Sequence, residues 1–128
     1  MSVQGVTVLV VQREPLVALD LKAALEGVGA QILLGTSYVT ATEAIRAGGL
    51  AFCVLDDGQW SDGTSAELAA LLRVNSIPFL VYGASSQPLA GSVAHLQKPA
   101  PSTDVVDAFM RHFAPTALEA RRAAPVSR

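Results

Sequence analysis

The sequence predicts an α/β domain with a doubly wound, parallel β-sheet of five strands. Apolar runs of strand length alternate with segments in which apolar residues recur at helical spacing. The runs are continuously apolar, which is typical of parallel strands buried on both faces. The 128 residues are 51% hydrophobic and only 16% charged, enough for one domain with a substantial core. We therefore expect right-handed crossovers that place helices on both faces of the sheet.

The first half of the chain supplies two strand–helix units. The first strand is predicted over residues 6–11. Pro15 begins the helix that follows, because proline suits the first helical turn, where its missing N–H is not needed. The second strand is predicted over residues 31–34, and a Thr-x-x-Glu capping-box pattern at 40–43 predicts the start of the second helix.

The third strand, predicted over residues 50–55, ends in two adjacent carboxylates, Asp56 and Asp57. In open α/β sheets the carboxyl ends of the strands form the edge where ligands bind. A second capping-box pattern at residues 64–67 predicts the third helix, and residues 77–82 form the fourth predicted strand. The two carboxylates are therefore candidate functional residues at the sheet edge.

The last third of the chain lacks a long helical pattern between its two predicted strands. Residues 83–91 contain a proline and two glycines and leave room for a turn or two of helix at most. The fifth strand is predicted over residues 93–96, and Ser102 or Thr103 caps a final helix. We expect the domain to span residues 1–115, with residues 116–128 as a C-terminal tail, helical or disordered.

Composition restricts the function classes. The net charge is −2 and the nine basic residues are scattered, so nothing indicates nucleic-acid binding. No apolar run approaches the ~18 residues of a membrane span, and the N-terminus lacks the features of a signal peptide. The single cysteine, Cys53, lies within the third predicted strand and fits a buried apolar role. A reducing compartment and a cytoplasmic location are expected.

Four segments of the chain resemble the receiver domains of two-component response regulators, the CheY-like family, and the resemblance covers residues 6 to about 113. The segments are residues 8–15 (Val-Leu-Val-Val-Gln-Arg-Glu-Pro), 54–65 (Val-Leu-Asp-Asp-Gly-Gln-Trp-Ser-Asp-Gly-Thr-Ser), 77–82 (Ile-Pro-Phe-Leu-Val-Tyr) and 96–99 (Leu-Gln-Lys-Pro). The resemblance implies a flavodoxin-like sheet with strand order 2-1-3-4-5. The helix that usually follows the fourth strand is expected to be shortened or missing.

The resemblance also implies a site. Receivers carry an aspartate at the end of the third strand that accepts a phosphoryl group from a histidine kinase, and this position falls on Asp57. A one-residue shift in the loop would exchange it for Asp56. Lys98, followed by Pro99, matches the lysine that receivers carry after the fifth strand. In the family, Mg²⁺ is held by the acceptor aspartate and by an acidic pair after the first strand.

The chain departs from this pattern at three pocket positions. The acidic pair falls on Gln12 and Arg13, and the Ser/Thr position after the fourth strand falls on Gly83. With two cations near one acid, no metal and no other cofactor are expected. Mg²⁺ is expected only if the family's chemistry survives, and its ligands would then be Asp57, Asp56 and Glu14. Strand geometry should turn Glu14 away from the pocket, unless a shifted loop brings it back. The hypothesis is that Arg13 or Lys98 pairs with Asp57 and fixes one conformation without phosphate.

Three functions follow from these observations. The first is an atypical, stand-alone receiver, not an enzyme, that acts as a protein-interaction module with impaired Mg²⁺-dependent phosphorylation. The second is a competent phosphoacceptor that takes a phosphoryl group on Asp57. The third is a flavodoxin-like binder of a small ligand at the same sheet edge. Expected partners are a histidine kinase or another signalling protein, and neither nucleic acid nor a membrane. A second copy could also bind through Phe109, Met110 and Phe113 if these side chains are not wholly buried.

Overall fold

A computed structural model describes residues 4–123, with side chains described as far as residue 113. The strands are β1 (Thr7–Val11), β2 (Gln31–Gly35), β3 (Phe52–Leu55), β4 (Gln59–Trp60), β5 (Gly63–Thr64), β6 (Phe79–Gly83) and β7 (Ala94–Gln97). The helices are α1 (Pro15–Glu26), α2 (Tyr38–Ala47), α3 (Ser65–Val74) and α4 (Ser102–Ala123).

The main sheet has five parallel strands in the order β2-β1-β3-β6-β7. This confirms the predicted doubly wound fold and its strand order, in which the five predicted strands correspond to β1, β2, β3, β6 and β7. The short antiparallel pair β4–β5 was not predicted from the sequence. Two residues per strand are too few to produce a periodic pattern.

The sheet is buried on both faces, which explains why its strands read as continuous apolar runs. Val8 and Val10 of β1 pack into one core cluster with residues of α1 and α4. Leu9 and Val11 of the same strand pack into a second cluster with residues of α2 and α3. The alternation of neighbouring side chains between the two faces therefore sets which helix each strand residue meets.

The aromatic residues of α4 belong largely to the core. Phe109 is fully buried, and its ring centroid lies 5.2 Å from that of Phe52 in a T-shaped contact. Phe113 also packs against Phe52, at 5.8 Å, and Met110 is partly buried against the same cluster. A dimer contact through these residues required that they not be wholly buried, and Phe109 does not meet this condition.

Helix starts were only partly predicted from the sequence. The box at residues 64–67 is confirmed: Thr64 N donates to Glu67 Oε1 at 2.8 Å, and Glu67 N donates to Thr64 Oγ1 at 3.1 Å. The prediction of a capping box at residues 40–43 is wrong, because the N-cap of α2 lies three residues earlier. Ser37 is its N-cap, and the hydroxyl of Thr40 takes the role that a carboxylate usually plays.

The connection between β6 and β7 contains no helix in residues 84–93, all of which the structure describes. The expectation of a shortened or missing helix here is confirmed. Side-chain hydrogen bonds hold this segment instead: Gln97 Nε2 donates to Ala84 O at 3.2 Å, and Arg73 Nη1 donates to Ala90 O. Polar anchors thus take the place of helical packing against the sheet.

The last helix, α4, is longer than predicted. Its backbone is helical through Pro115 to Ala123, so most of the predicted tail is helical where the structure describes it. The domain boundary at residue 115 remains a prediction. Residues 124–128 lie outside the described residues. Within the described part of the chain, no helix combines the length and the apolar character that crossing a lipid bilayer requires.

Candidate functional site

The carboxyl ends of β1, β3, β6 and β7 meet at one edge of the sheet, because all four strands are parallel. The polar residues that follow these strands gather there. Gln12 is 2% exposed, Asp56 is 1% exposed and Asp57 is 5% exposed, so both carboxylates are buried. A buried carboxylate needs charge or hydrogen-bond compensation. The two aspartates obtain it in different ways.

Asp56 is compensated by cations on both of its carboxylate oxygens. Lys98 Nζ lies 3.4 Å from Oδ1. Oδ2 accepts from Arg13 twice, from the backbone N–H at 3.0 Å and from Nε at 3.3 Å. The backbone of Asp56 is also held, since its carbonyl accepts a hydrogen bond from the buried Ser65 hydroxyl. Asp56 is therefore the charged centre of the site.

Arg13 binds the loop that follows β3 as well as the Asp56 carboxylate. Its Nη1 donates to Gln59 O at 3.0 Å, and its Nη2 donates to Asp57 O at 2.8 Å. The guanidinium carbon also lies 5.9 Å from the centre of the Trp60 ring, within the range of a cation–π contact. Gly58 has a φ of +104°, and a Cβ there would lie 2.9 Å from Arg13 Nη2. Glycine thus permits both the turn and the approach of the guanidinium.

The Asp57 carboxylate points toward β6. Its Oδ1 accepts from Ala84 N at 3.2 Å, and its Oδ2 accepts from Ser85 N at 2.7 Å. The expectation that Arg13 or Lys98 pairs with this carboxylate is wrong, because both side chains pair with Asp56. Strand alternation separates the two acids, as predicted, but it directs Asp56 rather than Asp57 toward the lysine.

The register of β3 explains this outcome. Leu55 lies opposite Val11, and Asp56 N donates to Val11 O at 2.8 Å, so Asp56 continues the ladder beside the end of β1. Asp57 comes after the ladder, where the chain turns at Gly58. Aligning the end of β3 with the end of β1 would have identified Asp56 as the aspartate that faces Arg13 and Lys98. Counting residues along the loop did not.

The remaining predicted pocket residues lie around this centre. Lys98 Nζ also donates to Glu14 Oε1 at 3.1 Å. Glu14 was expected to turn away, but its long side chain reaches Lys98 from the rim, where it is 65% exposed. Gln12 Nε2 donates to Tyr82 O at 3.3 Å, while Gln12 Oε1 has no hydrogen-bond partner among the described residues.

These residues do not fit Mg²⁺. The ion requires hard oxygen ligands in a nearly octahedral arrangement, usually including carboxylates. Both oxygens of Asp56 already face cations, the Asp57 oxygens bind backbone N–H groups, and Glu14 pairs with Lys98. Among the described residues, no three His, Cys, Asp or Glu side chains are grouped so that they could hold a metal ion. A divalent ion at Asp56 would meet Arg13 and Lys98 and be repelled.

The thiol of Cys53 is a further buried ionisable group in β3. Cys53 lies in β3 with its side chain fully buried in the core that α2 and α3 cover. Burial raises the pKa of the Cys53 thiol well above its ordinary value of 9.0. The thiol therefore stays protonated and behaves as a small apolar group, as the sequence predicted.

Comparison with known proteins connects this architecture to one fold. No family model matches the chain, and no curated protein matches it. Solved structures do match. A CheY-like response regulator receiver domain from Methanospirillum hungatei JF-1 superposes with a TM-score of 0.78 at 15% identity, covering 91% of this chain and 99% of that one. This chain has the CheY-like receiver fold.

Two further structures with the receiver fold cover similar shares. The signal receiver domain of a putative LuxO repressor protein from Vibrio parahaemolyticus has a TM-score of 0.77 at 17% identity, covering 94% of this chain and 98% of that one. A response regulator receiver protein from Sinorhizobium medicae WSM419 has a TM-score of 0.72 at 22% identity, covering 84% and 93%. At these identities the likeness concerns the fold, and the site has to be interpreted from its own residues.

Proposed function

We propose that this protein is an atypical receiver-fold module of two-component signal transduction that acts through protein contacts. Its site holds one conformation by means of its own side chains, without phosphate and without a metal ion. The observation that carries the proposal is the Asp56 carboxylate, whose two oxygens are engaged by Lys98 and Arg13. The receiver fold supports a signalling role rather than that of an enzyme with a substrate pocket.

The physical basis is the charge requirement of phosphoryl transfer. The transferred group must approach an accessible oxygen, and cations must neutralise the charge that spreads over its oxygens. Here the Asp56 side chain is 2% exposed and its charge is already compensated by Arg13 and Lys98. A phosphoryl donor would have to displace the Arg13 side chain, which donates three hydrogen bonds, to Asp56, Asp57 and Gln59, before it could reach Oδ2. We therefore propose that Mg²⁺-dependent phosphorylation is impaired.

A second candidate is a receiver that still accepts a phosphoryl group. Lys98, 3.4 Å from an Asp56 oxygen at the end of β3, is the observation that favours it. In that case we propose Asp56 as the acceptor in place of Asp57, because the Asp57 oxygens are bound to the backbone of Ala84 and Ser85. The partner would be a histidine kinase in the cytoplasm.

Incubation with Mg²⁺ and acetyl phosphate, followed by intact-mass measurement, tests both candidates. We expect no phosphoryl adduct on the unmodified chain. Asp56→Asn and Asp57→Asn assign any adduct that does form. An adduct abolished by Asp56→Asn and retained in Asp57→Asn would establish the second candidate with Asp56 as acceptor. The reverse pattern would restore Asp57 as acceptor and overturn our interpretation of the site.

A further inference from the structure

We propose that Asp57 is a built-in ligand: its carboxylate occupies an anion site formed by the backbone N–H groups of Ala84 and Ser85, and Gly83 provides the space for it. The inference rests on the proposed function, since it concerns the same sheet edge, and it adds how the edge is kept in one state. The chain carries its own anion there, so the segment after β6 keeps its position without an external one.

The hydrogen bonds have the form of an anion site. Two successive backbone N–H groups aim at one carboxylate, Ala84 N at Oδ1 and Ser85 N at Oδ2, over 3.2 and 2.7 Å. Successive N–H groups of this kind form concavities that bind anions, and bonds to an ionised acceptor are stronger than neutral ones. Asp57 is 5% exposed, so little water competes for these donors.

Gly83 is complementary to Asp57 in space. A Cβ atom on Gly83 would lie 2.3 Å from Cγ of Asp57 and 2.4 and 2.6 Å from its two oxygens. The backbone of Gly83 is that of an ordinary β-strand residue, so glycine is required here for space and not for its conformational freedom. A side chain at position 83 and the carboxylate at position 57 therefore exclude each other.

The bound carboxylate fixes the segment that replaces a helix between β6 and β7. Asp57 holds the start of the segment at Ala84 and Ser85, and Arg73 holds its end at Ala90. Gly91 packs against the same arginine, since a Cβ there would lie 2.5 Å from Arg73 Cδ. Because Asp57 fills the N–H site, an oxyanion from solution is excluded from it. The contact is thus an internal lock on this segment.

Chemical rescue tests the proposal. Asp57→Gly removes the carboxylate and leaves the N–H groups facing an open site, and amide hydrogen exchange at Ala84 and Ser85 should become about tenfold faster. Sodium formate should then raise the melting temperature of the variant more than sodium chloride does at equal ionic strength. Neither the unmodified chain nor Asp62→Gly, which removes an exposed carboxylate from the same loop, should show this difference. Unchanged exchange, or no preference for formate, would overturn the proposal.

A double-variant cycle keeps the proposal testable if Asp57→Gly folds poorly. Gly83→Ser alone should lower the melting temperature, because its side chain collides with the Asp57 carboxylate. Asp57→Gly/Gly83→Ser should lose less than the sum of the two single losses, since the collision is removed. Additive losses would contradict the complementarity. A phosphoryl adduct at Asp56, together with non-additive losses in the double variant, would overturn the proposed function but not this inference. Additive losses without any adduct would overturn this inference but not the proposed function.

Discussion

Arg13 donates to the same oxygen of Asp56 twice, from its backbone N–H at 3.0 Å and from Nε at 3.3 Å. The arginine side chain is 42% exposed and the aspartate side chain is 2% exposed, so the pair joins a half-exposed cation to a buried acid. Lys98 takes the other oxygen of the carboxylate. The charge of Asp56 is therefore balanced from within the chain.

Arg13→Ala should lower the free energy of unfolding by about 1–2 kcal/mol, because it removes hydrogen bonds to a charged acceptor and to the loop after β3. The effect stays modest, since the arginine is partly exposed and Lys98 still compensates Asp56. Urea unfolding followed by circular dichroism measures it. Arg46→Ala, at an exposed arginine of α2, is the matched control and should change stability by less than about 0.5 kcal/mol. Equal losses in the two variants would contradict the assigned role of Arg13.

Asp56→Ala should be more destabilising, by about 3 kcal/mol, because it leaves Lys98 and Arg13 without their shared acid. Most of this loss should come from Lys98, because its side chain is only 15% exposed whereas that of Arg13 is 42% exposed. The same unfolding measurement applies, with Asp20→Ala at an exposed position of α1 as control. If Asp56→Ala proved as stable as the control variant, the idea of a charged centre at Asp56 would be wrong.

Arg13→Asp should create Mg²⁺ binding that the unmodified chain lacks. The substitution replaces a cation beside Asp56 with a second carboxylate, and proteins usually hold Mg²⁺ through one or two carboxylates. Trp60 is the single tryptophan and lies next to Arg13, so its fluorescence reports on the site. A saturable change on Mg²⁺ addition is expected in Arg13→Asp only, and not in Arg46→Asp, which alters net charge equally. A matching response in the unmodified chain would show that Arg13 does not exclude the ion.

Stability should fall at alkaline pH because of Cys53. Burial raises the pKa of this thiol in the folded state above its ordinary 9.0, so the unfolded chain releases the proton first. The contribution of the thiol to the free energy of unfolding is constant below about pH 9. Above that pH, the free energy of unfolding decreases by up to about 1.4 kcal/mol per pH unit. Urea unfolding between about pH 8 and pH 10, compared with Cys53→Ala, isolates this slope, because lysine and tyrosine titrations are common to both proteins. Parallel pH profiles would contradict the burial effect.

The architecture of the sheet was predictable from the amino-acid sequence alone. Continuous apolar runs identified five strands, and their alternation with helical segments identified a parallel, doubly wound order, because both signals are local and depend on burial. The replacement of an acidic pair by Gln12 and Arg13 and the position of Lys98 after β7 were also visible in the chain. The contacts that these residues make were not visible in the sequence.

Which of the two aspartates pairs with Arg13 and Lys98 became apparent only in the folded chain. Moving along a strand by one residue reverses the direction of a side chain, so the choice between Asp56 and Asp57 depended on the pairing of β3 with β1. Gly83 and Asp57 are 26 residues apart in the chain, yet a Cβ atom on Gly83 would lie 2.3 Å from Cγ of Asp57. Ion pairs and steric exclusion act between residues that are close in space but distant in sequence, so a local sequence pattern does not predict them.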